Sequence, residues 1–143
     1  MRLSTKTRYA ARAMLELALN KADGPLQVKR IARRQQISEK YLEQLIVVLK
    51  SAGYVKSVRG PKGGYFLAKD PAEIKLSDIF YSFEGPITTS ECVQDIDKCS
   101  RSCECVMREV WKKVEESVVD VLDSITLKDL ADKSRGSGIN YQI

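Results

Sequence analysis

Four cysteines lie close together in the second half of the 143-residue chain, which contains no histidine. They are Cys92, Cys99, Cys103 and Cys105, in the segment CVQDIDKCSRSCEC. Thiolates bind iron–sulfur clusters, zinc and copper(I), and they also react with oxidants. The segment lacks the paired CxxC elements of a structural zinc ribbon. Its irregular spacing favours a solvent-accessible, labile cluster, and a set of reduced, unligated thiols is the alternative.

The missing histidine removes a large class of catalytic sites. Without imidazole there is no His general base, no Ser-His or Cys-His nucleophile pair, and no zinc site that requires a His ligand. The sequence also contains no Gly-rich phosphate loop. We therefore expect a protein that is not an enzyme and that has no small-molecule substrate.

The charge is divided unevenly along the chain. Residues 1–70 contain 15 Lys and Arg against 5 Asp and Glu, whereas residues 71–143 contain 9 against 14. A basic half joined to an acidic half indicates that the first half meets a polyanion and the second does not. No apolar run approaches the roughly 20 residues of a membrane span, and the N-terminal stretch lacks the features of a signal peptide. We expect a cytoplasmic protein that does not bind membranes.

Hydrophobic periodicity predicts three helices in the basic half. They cover residues 4–20, residues 27–35 and a longer stretch that starts after Ser38, a good N-cap, and stops at Gly53. Two helices, a tight turn and a longer capped helix form a helix-turn-helix. The strand-like runs YVKSV and GYFLA then flank the turn RGPKGG, which predicts a basic β-hairpin, or wing. Residues 1–70 are therefore predicted to form a winged helix-turn-helix DNA-binding domain.

This motif assigns the candidate DNA contacts. The start of the third helix, the recognition helix, is expected in the major groove, where Glu can accept from cytosine and Gln can bind adenine. Its candidate residues are Ser38, Glu39, Lys40, Glu43 and Gln44. The wing adds Arg59 and Lys62, and an arginine at a hairpin tip suits the narrow minor groove. The predicted phosphate contacts, which make affinity fall with salt, are Arg2, Lys6, Arg8, Arg30, Arg33 and Arg34.

The acidic half is predicted to contain a dimerisation element. We expect a connecting helix in residues 71–86, a cysteine-bearing sensor loop in residues 87–104, a long helix followed by a short terminal helix in residues 105–133, and a flexible tail in residues 134–143. The apolar stripe of the long helix approximates a heptad seam: Val106, Val110, Trp111, Val114, Val118, Val121, Leu122 and Ile125. This favours pairing with a second subunit, and packing on the chain's own N-terminal domain is the alternative.

The predicted fold class is thus mainly α with a small β-hairpin wing, a winged helix-turn-helix domain plus a long C-terminal dimerisation helix. The strings MRLSTKTRYAARAMLELA and SEKYLEQLIVVLKSAGYVKSVRGPKGGYFLA, together with EGPI at 84–87 and Cys105 six residues before Trp111, resemble the IscR, NsrR and CymR family of bacterial regulators. The resemblance implies a homodimer on a palindromic double-stranded DNA operator. It places helix 38–52 in the major groove and Arg59 at the minor groove.

The same resemblance implies an iron–sulfur cluster on Cys92, Cys99 and Cys105, with 2Fe–2S favoured over 4Fe–4S. Cys103 is an extra thiol and a possible ligand. The expected function is a transcriptional regulator gated by this cluster. The alternatives are the same regulator with its cysteines as a thiol switch or zinc site, or one controlled by a protein partner.

The fourth cluster ligand is left open by the sequence. One branch of the family has a histidine three residues after the last cysteine, where this chain has Arg108. Another branch can use an N-terminal aspartate of the partner subunit, and the matching region here has Arg8. The branch whose N-terminal half is most similar, CymR, lacks the cysteine triad. Cys103, Glu104 or a residue of the second subunit are the remaining candidates.

Overall fold

The computed structural model describes residues 3–137 of the chain. The predicted contact Arg2 and most of the predicted tail, residues 138–143, lie outside the described residues. The described elements are α1 (Thr5–Leu19), α2 (Val28–Gln35), α3 (Glu39–Ser51), β1 (Val55–Val58), β2 (Gly64–Leu67), α4 (Leu76–Glu84), α5 (Glu91–Gln94), α6 (Val106–Ser124) and α7 (Leu127–Ser137).

Local signals explain where the first three helices begin and end. The Ser4 hydroxyl accepts from the backbone N–H of Thr7 at 3.2 Å, and the Ser38 hydroxyl accepts from that of Tyr41 at 3.1 Å. Each bond satisfies one N–H group that has no partner inside the helix. Gln36 adopts the left-handed conformation, with φ of 57°, and ends α2. The predicted cap at Ser38 is therefore confirmed.

A single hydrophobic core joins the two halves of the chain. Its buried side chains come from α1 to α4, from β1 and from α7: Met14, Ile31, Leu42, Ile46, Leu49, Val55, Ile74, Ile79, Leu127 and Ala131. The terminal helix α7, whose packing the sequence did not predict, packs against α1. Helices α1, α2 and α3 thus share a core with Leu127 and Ala131 of α7, which come more than 60 positions after the end of α3.

A short backbone pairing explains why α7 returns to this core. The N–H of Leu76 donates to the carbonyl of Ile125 at 2.8 Å, and the N–H of Leu127 donates to the carbonyl of Ile74 at 2.9 Å. The predicted capping box is also present, because the Thr126 N–H donates to the Asp129 carboxylate at 2.9 Å and the Asp129 N–H donates to the Thr126 hydroxyl at 3.2 Å. Helix α7 continues to Ser137, four residues into the predicted tail.

The long helix α6 stands outside the core. Within the described chain it contains no buried residue, although it has 19 residues and a clear apolar stripe. The segment predicted as a loop, 87–104, contains two short helical turns, Glu91–Gln94 and Ile96–Lys98. Among the described residues there is no helix long and apolar enough to cross a membrane.

Candidate nucleic-acid interface and cysteine segment

Helix α3 has one buried face and one face open to solvent. Leu42, Leu45, Ile46 and Leu49 are buried and fix the rotation of the helix about its axis. The five predicted base-contacting residues all lie on the exposed side: Ser38, Glu39, Lys40, Glu43 and Gln44. The structure therefore brings these side chains together on one accessible surface, which we call the reading face.

The wing follows directly after α3 as an antiparallel hairpin in which Val55 pairs with Leu67 and Val58 with Gly64. Its turn is closed by the Gly63 N–H, which donates to the Gly60 carbonyl at 2.9 Å. A Cβ atom on Gly63 would lie 2.2 Å from the carbonyl oxygen of Val58, so only glycine fits there. The turn presents Arg59 and Lys62, both exposed.

Two sets of contacts hold the wing beside α3. Leu26 and Tyr65 exchange backbone hydrogen bonds of 2.8 and 2.9 Å, so the chain before α2 extends the edge of the hairpin. The Lys50 ammonium donates to the Ser57 hydroxyl at 2.8 Å and links α3 directly to β1. Neither contact was predicted, because each joins residues whose proximity depends on the folded hairpin.

The predicted phosphate contacts fall into two groups. Lys6, Arg8, Arg30 and Arg33 are exposed. Arg34 is also exposed, and in addition it forms an ion pair with Glu16, whose buried carboxylate lies 3.1 Å away. The other oxygen of Glu16 accepts from the Gln35 side chain at 3.0 Å. Arg34 therefore ties α2 to α1, a role that its place in a basic run did not indicate.

The EGPI segment anchors the start of α1. One carboxylate oxygen of Glu84 accepts from the Ser4 N–H at 3.1 Å and from the Thr7 hydroxyl at 2.5 Å. Hydrogen bonds from Ser4 and Thr7 hold the pKa of Glu84 below its ordinary value, because they stabilise the charged carboxylate. The exposed Lys6 lies on the helix turn that this contact fixes.

The cysteines do not form an assembled metal site. All four are free thiols, with Cys92 and Cys105 half-buried and Cys99 and Cys103 exposed. Among residues 3–137 there is no group of three or more Cys, Asp or Glu side chains placed to hold a metal ion. In this conformation the thiols do not converge, so they would have to move closer together to bind cluster iron.

Arg108, at the position where one family branch has a histidine ligand, has a structural role. Its Nε donates to the backbone carbonyl of Cys92 at 2.8 Å. The thiol of Cys92 also lies 3.1 Å from the Ser90 hydroxyl. Further along, Thr89 donates to the Glu115 carboxylate at 3.2 Å and to the Trp111 carbonyl at 2.9 Å. The cysteine segment is thus fastened to the first half of α6.

The apolar stripe of α6 is exposed along its length. Val106 is 72% exposed and Val121 is 56% exposed. An open groove of about 460 Å³ runs along the helix and is lined by Val110, Lys113, Val114, Ser117, Val118, Val121 and Leu122. Large contiguous apolar surfaces on soluble proteins mark interaction sites. Within the described residues, α6 packs mainly against α4 and α5.

Comparisons with known proteins identify the family. The Rrf2 family model, described as an iron-dependent transcriptional regulator, matches residues 3–133. The HTH-type transcriptional regulator CymR of Bacillus subtilis (strain 168) is 43% identical over 141 residues, which cover 99% of this chain and 97% of CymR. The structure of T. potens IscR is 42% identical with a TM-score of 0.80, covering 98% of this chain and 93% of IscR.

A third similar protein is the oxidized form of Staphylococcus aureus CymR. It is 38% identical, with a TM-score of 0.75, and the match covers 92% of this chain and 96% of that structure. The predicted fold class, helical with a two-stranded wing, is confirmed by these neighbours. CymR and IscR are named as regulators and not as enzymes, in agreement with the prediction. The chain belongs to the Rrf2 family of transcriptional regulators.

Proposed function

We propose that this chain is a homodimeric, sequence-specific DNA-binding protein that recognises a palindromic operator through α3 and the wing. The observation that carries the proposal is the reading face, on which five polar side chains are exposed beside a wing that presents Arg59 and Lys62. An α-helix fits the major groove, and the buried side of α3 fixes which residues face outward. Because DNA is the proposed partner, we also propose a cytoplasmic location.

The proposed dimer forms through the apolar groove of α6. Val110, Val114 and Val121 line this groove, are 42% to 56% exposed in one chain, and would be removed from water by a second copy of the same helix. A twofold axis through α6 repeats the reading face once per subunit. Two recognition helices then contact half-sites about 34 Å apart, one turn of B-DNA.

The test is selection from a library of randomised DNA duplexes, followed by titrations at several salt concentrations. We expect enrichment of an inverted repeat and an affinity that falls steeply as salt rises. Lys62→Glu should weaken binding, whereas Lys133→Glu is the matched control because Lys133 is exposed on α7, away from the reading face. A lack of enrichment, or a salt slope near zero, would contradict the proposal.

We propose further that the signal enters at the cysteine segment, by one of two chemistries. The family description and the likeness to IscR support an iron–sulfur cluster on Cys92, Cys99 and Cys105, 2Fe–2S in preference to 4Fe–4S. The dispersed, partly exposed thiols support thiol oxidation without a metal, because accessible thiolates react with oxidants. Both chemistries would act on α6, because Arg108 and Thr89 fasten the segment to that helix.

Protein purified without oxygen distinguishes the two chemistries. A cluster predicts visible absorbance, stoichiometric iron and sulfide, and loss of all three in Cys92→Ala. Thiol chemistry predicts a colourless protein whose DNA affinity changes on mild oxidation and is restored by a reductant. The exposed Ser100→Ala substitution is the control in both experiments. A colourless protein whose DNA binding ignores both oxidation and Cys92→Ala would exclude the cysteine segment as the sensor.

A further inference from the structure

We infer that Val47 determines specificity by packing against the 5-methyl group of a thymine in each half-site, an inference that rests on the proposed function. Val47 is 61% exposed, the most exposed large hydrophobic residue of α3. It was not among the predicted DNA contacts of this helix, all of which are polar or charged. The structure places it on the exposed side of α3.

The geometry of an α-helix locates Val47 on the reading face. Successive residues are rotated by about 100°, so Val47 lies about 20° from Lys40 around the axis. It also lies between the directions of Glu43 and Gln44, one turn further along the helix. The buried residues Leu42, Leu45, Ile46 and Leu49 occupy the other side. Val47 is therefore near the centre of the exposed surface.

An exposed valine at this position makes the folded helix less stable than a polar residue would. β-Branched side chains are less favourable in a helix than Lys, Gln or Glu, and an isopropyl group in water gains nothing from hydrogen bonding. Isolated surface valines are common, so exposure alone decides little. Here, however, the valine is surrounded by the polar residues proposed to contact bases, with the cationic wing alongside.

The chemistry of the major groove selects the partner of such a side chain. Base pairs present hydrogen-bond donors and acceptors there, and the 5-methyl group of thymine is the apolar feature. Valine can form no hydrogen bond, and its isopropyl group fits a methyl contact. Four residues of helix advance about 6 Å along the axis, so we expect Val47 to contact a different base pair from the one opposite Glu43.

The experiment is a double-mutant cycle between protein and DNA. The probe is the duplex most enriched by the wild-type protein, with each symmetry-related pair of thymines replaced in turn by deoxyuridine, which removes only the methyl groups. Dissociation constants are measured for the wild type, Val47→Ala and Val48→Ala. Val48 is the matched control, because it is 36% exposed and lies about 100° away around the helix.

We expect the wild type and Val48→Ala to lose about threefold to fivefold in affinity per methyl group at one thymine position. Val47→Ala should lose that discrimination at this position and keep it at any other. The inference is overturned if the wild type ignores every deoxyuridine substitution, or if Val47→Ala retains the wild-type pattern. Tight, selective binding with either result would leave the proposed function intact, whereas failure to select any duplex would overturn both.

Discussion

The two halves of this molecule, residues 1–70 and residues 71–143, differ in how far contacts within one chain hold their functional residues in place. The reading face and the wing are held by contacts within the chain, from the core of α3 to the Lys50–Ser57 hydrogen bond. Helix α6 contains no buried residue in the described chain, and the cysteines attached to it are dispersed. The proposed DNA-binding surface is thus held in place within one chain, whereas the apolar side of α6 is left open to solvent. We expect a signal to change the structure most easily at α6.

The largest effect is expected from placing a charge in the α6 groove. Val114→Glu would put a carboxylate in the proposed dimer interface, and dissociation would remove one of the two proposed half-site contacts. We expect a monomer by analytical ultracentrifugation and an operator affinity lower by about 100-fold or more. Glu116→Gln, on the opposite side of α6, is the control. A dimeric Val114→Glu protein would place the interface elsewhere.

A smaller effect is expected at the tip of the wing. Arg59→Ala should lower operator affinity by about 10-fold to 100-fold, since each subunit loses an arginine proposed to enter the minor groove. The melting temperature should stay unchanged, because Arg59 is exposed on a turn. Fluorescence anisotropy and differential scanning calorimetry measure the two quantities. Normal affinity in Arg59→Ala would show that the wing does not reach the DNA.

Features that depend on neighbouring residues were predicted from the sequence, and features that depend on distant residues were not. The cap at Ser38, the stop after α3 and the glycine turn of the wing depend on neighbouring residues, so the sequence predicted them. The docking of α7 depends on pairing between residues 74–76 and 125–127, about 50 positions apart, which no local pattern reveals. The ion pair between Arg34 and Glu16 was not predicted for the same reason, because the two residues lie on different helices.

The structural role of Arg34 can be tested by comparison with its neighbour Arg33. Arg33→Ala should lower the slope of log affinity against log salt by about 2 per dimer, one phosphate contact per subunit, and leave stability unchanged. Arg34→Ala should lower the free energy of unfolding by about 1 to 2 kcal/mol, because it leaves the buried Glu16 carboxylate without its cation. Urea titration measures stability. Equal behaviour of the two variants would contradict the division between reading and structural cations.

The smallest effect concerns Glu84, which connects the two halves at the start of α1. Its pKa is lowered in the folded state from an ordinary value of 4.5, so its stabilising contribution is present above that value and is lost as the pH falls below it. Glu84→Gln should cost about 0.5 to 1 kcal/mol at pH 7, since a neutral amide accepts these hydrogen bonds less strongly. The difference in the free energy of unfolding between the two proteins should shrink as the pH falls below 4.5, because acid protonates Glu84 in the wild type and leaves Gln unchanged.

Urea titrations of both proteins from pH 7 to pH 3.5 measure this difference, with the exposed Glu73→Gln as the control. A difference that is constant with pH would mean that Glu84 acts by its shape and not by its charge. The anchor that joins the connecting helix to the reader would then be insensitive to acid.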